Sequence, residues 1–217
     1  MTWIARARRT PSALLLAAQL GSLCLFPVIG DTGGGRLMYA AIATVVVALA
    51  LWVVNRSPAM NWFAWLFAAP AILLTLSALL LGHGELLVWA SLCESVLYFY
   101  AAGALIAYML HDHEVSGDEL FASGATFTLL AWGFAYTFVV LQALQPGSFA
   151  AAVNAEQPRS WTELMFLSFA LLSSTGIGDV IPIRPLARAL TSLEMFVGVM
   201  YLAAVVSRLV GLTLLRR

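Results

Sequence analysis

The sequence predicts an all-α membrane protein of six transmembrane helices, with a short re-entrant helix and a glycine-bearing turn between the fifth and the sixth. Three observations lead there. Hydrophobic residues make up 62% of the 217 and charged residues only 10%, a balance outside that of water-soluble domains. Apolar runs that are, as helices, long enough or nearly so to cross the hydrocarbon core recur six times. One further apolar run is only about a dozen residues long, and it leads directly into Ser173-Ser174-Thr175-Gly176-Ile177-Gly178-Asp179.

The six long runs are 12–29, 37–54, 62–81, 86–110, 125–144 and 186–215. The first follows Arg6, Arg8 and Arg9 and has the outline of a signal peptide, but no small-x-small cleavage site precedes Gly30 and more spans follow, so it reads as a span. Between the first and second runs, Gly30-Asp31-Thr32-Gly33-Gly34-Gly35 has the glycines of a phosphate loop without its Lys-Ser/Thr or the strand before it, and is expected to be an outer loop. Trp62, Trp65, Trp89 and Trp161 fall near run ends, where indoles anchor at the headgroup level. The fourth run holds no arginine, so an arginine-based voltage sensor is not expected; its ionisable residue is Glu94, and acids at such depth are functional hypotheses.

The most polar stretch, 111–119, divides the chain into a four-helix module at 1–115 and a second unit at 116–217. Ser116 or Asp118 is expected to cap the fifth helix there. His111, Asp112, His113 and Glu114 fit no defensible metal spacing and read as a solvated linker. Cys24 and Cys93 lie in different apolar runs and are expected to be small buried residues. All eleven basic residues are arginine, balanced by eleven acids, which leaves no nucleic-acid footprint.

With six spans, Arg6, Arg8, Arg9, Arg56, Arg208, Arg216 and Arg217 fall on one side, and Arg36, Arg159, Arg184 and Arg188 on the other. The richer side is expected to be cytoplasmic, with both termini on it, in the cell membrane. The short run at 161–172 rises about 1.5 Å per residue and reaches about halfway across. Non-helical backbone at that depth is tolerated where it is buried in protein or lines a water-filled cavity, so the half-helix and the Gly-x-Gly after it imply a pore open to the outside. Gly176 and Gly178 free the backbone to turn successive carbonyls toward one axis, and a ring of such carbonyls replaces the water shell of an ion.

The segment 173–179 resembles the potassium-channel signature Thr-Thr-Val-Gly-Tyr-Gly-Asp, and its surroundings resemble the bacterial potassium channel family. The similarity runs through Pro182-Ile183-Arg184-Pro185-Leu186-Ala187-Arg188 and Leu193-Glu194, and upstream residues 117–149 look like that family's outer helix. The resemblance implies a pore domain of outer helix, pore helix, filter and inner helix, assembled as a homotetramer in the lipid bilayer. No cofactor is implied, only K+ as the permeant ion. Ser174, Thr175, Gly176, Ile177 and Gly178 match the residues whose carbonyls, and at Ser174 the hydroxyl, coordinate potassium; Asp179 matches the acid at the filter mouth. Gly198 matches a gating-hinge position, with helix packing the equal alternative. Glu194 matches a family position and is expected to bond near the pore helix.

The chain departs from the signature inside it. Ile177 stands for the tyrosine and cannot make the hydrogen bonds that tether its ring, and Phe166-Leu167 offers one aromatic where the family often has two. Thr175 replaces a valine with a hydroxyl that needs a partner when buried. Ala170 stands where some members carry a buried glutamate. The sequence therefore leaves two channel readings open, potassium-selective or permeable to sodium and potassium alike. A six-span transporter or membrane enzyme, lacking a second half-helix or an intramembrane catalytic cluster, is third.

Overall fold

The computed structural model describes residues 11–29, 33–54, 61–111 and 117–215. They form seven helices and two short strands: α1 (Pro11–Ile29), α2 (Gly33–Val54), α3 (Asn61–Leu81), α4 (Glu85–Leu110), α5 (Gly117–Leu144), β1 (Phe149–Ala151), α6 (Trp161–Leu172), β2 (Val180–Pro182) and α7 (Pro185–Leu215). All six long apolar runs are helical, and the short run at 161–172 is a helix of 12 residues with those bounds. Among the described residues, four helices are long and apolar enough to cross a membrane, within α3, α4, α5 and α7; the described apolar parts of α1 and α2 are shorter.

Two starts precede their apolar runs. α5 begins at Gly117, well before the apolar run at 125, because its polar first turns are held by other helices. The Asp118 carboxylate accepts the backbone amide and hydroxyl of Ser12 at 3.2 and 3.0 Å, so Asp118 caps α1 rather than its own helix. Ser116 lies outside the described residues, as does the boundary placed at 115/116. Gly33, Gly34 and Gly35, expected in a loop, form the first turn of α2. The opening amides of a helix have no intrahelical carbonyl to reach, so glycine there forgoes little.

The core is centred on α5, with α4 packed most extensively along it and α1, α6 and α7 on its other sides. Trp132, Phe138, Leu129, Tyr98, Leu97, Leu105 and Leu164 are completely buried. Several polar side chains inside this core are paired across helices. Ser95 of α4 donates to the Gly133 carbonyl of α5 at 3.0 Å and meets Thr137 at 2.7 Å. Thr128 of α5 donates to Gln19 of α1 at 2.6 Å. Such bonds hold helices together where lipid offers the backbone and hydroxyls no alternative partner.

Beyond α5 the chain makes a closed excursion. β1 and β2 pair antiparallel, Phe149 opposite Pro182 and Ala151 opposite Val180. The amide of Ile183 extends the ladder to the Ser148 carbonyl at 2.8 Å. Everything between, including α6 and the glycine segment, hangs from this two-stranded base.

Candidate functional site

The site is built on α6. Its start is fixed by Ser160 and Glu163, each accepting a hydrogen bond from the other's backbone amide, at 3.3 Å to the Ser160 hydroxyl and 2.7 Å to the Glu163 carboxylate. Ser-x-x-Glu before an apolar run is a signal for this start that lies in the sequence itself. Arg159, immediately before, is buried. Its guanidinium reaches the carbonyls of Val153, Asn154 and Gln157 and pairs with Glu163 at 3.2 Å, while Gln142 of α5 brackets its backbone at 2.7 and 2.9 Å. Burial of Glu163 works against its charge, but the bonds from Ser160 and the Arg159 guanidinium outweigh it and hold the carboxyl below its ordinary range. The loop that carries the chain down from β1 is thus cinched around one arginine.

Along its length α6 is buried through Leu164, Met165, Leu167, Ser168, Ala170, Leu171 and Leu172. Trp161 lies edge-on to Trp132 of α5 at 5.5 Å and beside Tyr136 at 5.9 Å, and Tyr136 stacks on Tyr98 of α4 at 5.7 Å. Tyr136 also hydrogen-bonds Glu94. The acid in the fourth run therefore belongs to an aromatic cluster that joins α4 through α5 to the start of α6.

At the other end, α6 stops at Leu172 and the backbone doubles back on it. The amides of Thr175 and Gly176 both donate to the Ala170 carbonyl, at 3.1 and 3.2 Å. All peptides are trans, and in a trans peptide the C=O points opposite to the N–H. The carbonyls of Ser174 and Thr175 consequently point away from the Ala170 carbonyl, in a segment that is exposed in the single chain. Gly176 takes φ +68°, which a side chain opposes, and Ser174 takes +59° without being glycine. A non-glycine residue in that region persists only where its surroundings hold it, and here the helix end does: Ser173 donates from its amide and hydroxyl to the Phe169 carbonyl, at 3.0 and 2.6 Å. The Thr175 hydroxyl finds the partner that burial would demand in the Ala170 carbonyl at 3.3 Å, with Ser173 Oγ at 3.1 Å.

Residues Ser174, Thr175, Gly176, Ile177, Gly178 and Asp179 form one continuous exposed strip, while Val180 directly after them is buried in the β-ladder. Ile177 is 58% exposed, so no ring of α6 covers it in the single chain.

α7 backs the turn. The Glu194 carboxylate is completely buried and hydrogen-bonded to Ser168 of α6. One turn further, Gly198 meets Leu172: a Cβ on Gly198 would lie 2.2 Å from the Leu172 carbonyl oxygen. That close approach is by itself a reason for glycine at 198. The C-terminal half of α7 is held differently, by Arg208 to Glu119 of α5 at 3.5 Å and by Tyr201, which donates to the Ser123 carbonyl at 2.6 Å. Among the described residues no group of His, Cys, Asp and Glu could hold a metal ion; of the 111–114 cluster, only His111 is described.

The family model described as Ion channel matches residues 95–213, more than half of the chain, from within α4 through α5, α6, the glycine segment and most of α7. No curated protein and no solved structure matches significantly.

Proposed function

We propose, for a chain that belongs to the ion-channel family, that four copies assemble into a potassium-selective pore through which K+ moves passively, with no enzymatic step. The observation that carries this reading is the doubled-back turn after α6. Two amides are spent on the Ala170 carbonyl, which turns the carbonyls of the same peptides away from it, in a segment exposed in the single chain. One chain offers one edge of such carbonyls, and four around an axis make a ring that replaces a hydration shell. Ser174, Thr175, Gly176, Ile177 and Gly178 would line it, with Asp179 at its mouth. Neighbouring copies would cover the apolar face of α7 at Leu193, Phe196, Met200 and Val206, all exposed in the single chain.

In this reading the membrane protein has six spans. α1 and α2 contain 19 and 22 residues, about 28 and 33 Å at the helical rise, enough for a hydrocarbon core. Arginine placement puts both termini in the cytoplasm and the filter mouth outside the cell membrane. The module at 1–115 would then stand outside the pore domain at 116–217, against its outer helix.

Purified protein in potassium-loaded liposomes should pass K+ in a barium-sensitive way, and Gly176→Ala should abolish the flux. Absence of flux from the wild-type chain, or an unaffected Gly176→Ala, sinks the proposal.

A second reading, a pore that passes sodium as well as potassium, draws on one observation. Ile177 is exposed and carries no group that hydrogen-bonds the pore helix. Reversal potentials in a sodium/potassium gradient separate the two, and the double change Thr175→Val with Ile177→Tyr should raise selectivity only under the second.

A further inference from the structure

We infer that Glu194 is a filter-positioning residue that carries a proton, and that this proton completes a hydrogen-bond chain running from α7 through Ser168 of α6 to α5. The inference rests on the pore reading above and names which residues hold the pore helix in place.

The argument is a count of hydrogens. Ser168 is completely buried and its hydroxyl has one hydrogen. Two oxygens lie within bonding reach of that hydroxyl: the Ala131 carbonyl on α5, at 2.8 Å, and Glu194 Oε1 on α7. A carbonyl only accepts, and so does an ionised carboxylate. With Glu194 ionised, one of the two contacts would be oxygen against oxygen with nothing between. With a proton on Glu194, the acid donates to Ser168 and Ser168 donates to Ala131, and both contacts become hydrogen bonds. The remaining oxygen, Oε2, is buried and without a partner. Neither ion pair among the described residues, Arg159–Glu163 or Arg208–Glu119, involves Glu194. A buried carboxylate with neither cation nor full hydrogen bonding is the costliest form such a group can take.

The position of the chain gives it a consequence. Glu194 and Gly198 are one turn apart on α7, and their partners Ser168 and Leu172 are one turn apart on α6. The two helices therefore run side by side in register, and Leu172 is the last residue before the turn that presents the carbonyls. Gly198, lacking a Cβ, lets α7 come close to that end, and Glu194 fixes how α6 is placed along it. What the site needs from residue 194 is a donor to Ser168, which a neutral amide supplies as well as an acid does.

The test measures sodium against potassium permeability of the full-length protein in bilayers, alongside tetramer stability in detergent. Glu194→Leu and Ser168→Ala should each raise relative sodium permeability about fivefold, the order of one lost buried hydrogen bond, while Glu194→Gln should keep wild-type selectivity. Infrared spectra should contain a protonated-carboxyl band that Glu194→Gln removes. Wild-type selectivity in both Glu194→Leu and Ser168→Ala, or a Glu194→Gln channel as unselective as the leucine variant, overturns the inference, as does an unchanged carboxyl band. Where Glu194→Leu fails to assemble, Ser168→Ala decides alone. A wild-type protein without potassium flux would instead remove the pore reading itself.

Discussion

Replacing Gly198 with alanine puts a methyl group where the fold has a carbonyl oxygen. The added Cβ would sit 2.2 Å from the Leu172 oxygen and 2.8 Å from its carbonyl carbon and Cα. These are backbone atoms of the last residue of α6, so no rotamer change relieves the contact. Moving 2.2 Å out to an ordinary 3.4 Å contact takes about 1.2 Å of helix separation, if α7 and α6 part along that line. Overpacking of this kind costs about 1–3 kcal/mol, which for a chain of this size is a drop of about 2–12 °C in the unfolding midpoint. The movement also falls on the helix end that carries the glycine turn, so ion selectivity should degrade with stability. Gly211, also on α7, supplies the control: nothing lies within 4 Å of its added Cβ, and alanine there should stabilise by about 0.5–1 kcal/mol. Thermal unfolding of detergent-solubilised protein, read with and without permeant ion, measures both. If Gly198→Ala unfolds no earlier than wild type while open probability falls, residue 198 acts as a hinge and the close contact is not what selects glycine.

Two further outcomes follow from the charges. Because Glu163 is held below its ordinary range, its contribution is fully present above the unfolded carboxyl value of about 4.3 and is lost as pH falls through the lower folded value. Glu163→Gln should therefore lower thermal stability at pH 6 to 7, and the gap to wild type should close in acid; a gap that persists unchanged at pH 3 refutes the assignment. At the other end of the bundle, Arg208→Gln or Glu119→Gln breaks a pair whose side chains are 19% and 5% exposed. Each should cost about 1–3 kcal/mol, with a coupling energy of at least about 0.5 kcal/mol in the double-mutant cycle; additive effects would mean the pair does not interact.

Much of this arrangement was legible in the chain. Apolar runs of membrane-crossing length became helices because nothing in them competes with the helix for backbone bonding, and the half-length run at 161–172 stopped where the glycines begin. What could not be read is what depends on partners far along the chain. Asp118 looked like a cap for its own helix because local spacing cannot reveal that Ser12, 106 residues away, takes its carboxylate. Arg159 counted as one more outer charge, yet it is buried against three carbonyls that the loop wraps around it. Glu94 was visible as an acid at depth, but its place beside Tyr136 and Tyr98 follows from how α4 lies on α5. Gly198 was equally a hinge or a contact by sequence, since a missing Cβ does not announce what occupies its place.

The β-ladder decides where mechanical load enters the glycine segment. Asp179 is followed at once by Val180, opposite Ala151, so this end of the segment is stapled to the preceding arm of its own loop, and Arg188 of α7 ties the same strand to the helix by donating to the Pro182 carbonyl at 3.3 Å. A displacement of the start of α7 therefore reaches that end through β2. The middle of α7 bears on the segment from behind as well, by way of the two contacts one turn apart on α6. The preceding arm is under no such duty: with its ends pinned, each doubling of the loop's length adds only about 0.6 kcal/mol of closure entropy. Length can therefore vary in 152–158, provided the arginine cinch is kept, while the three residues of β2 tolerate no slip in register.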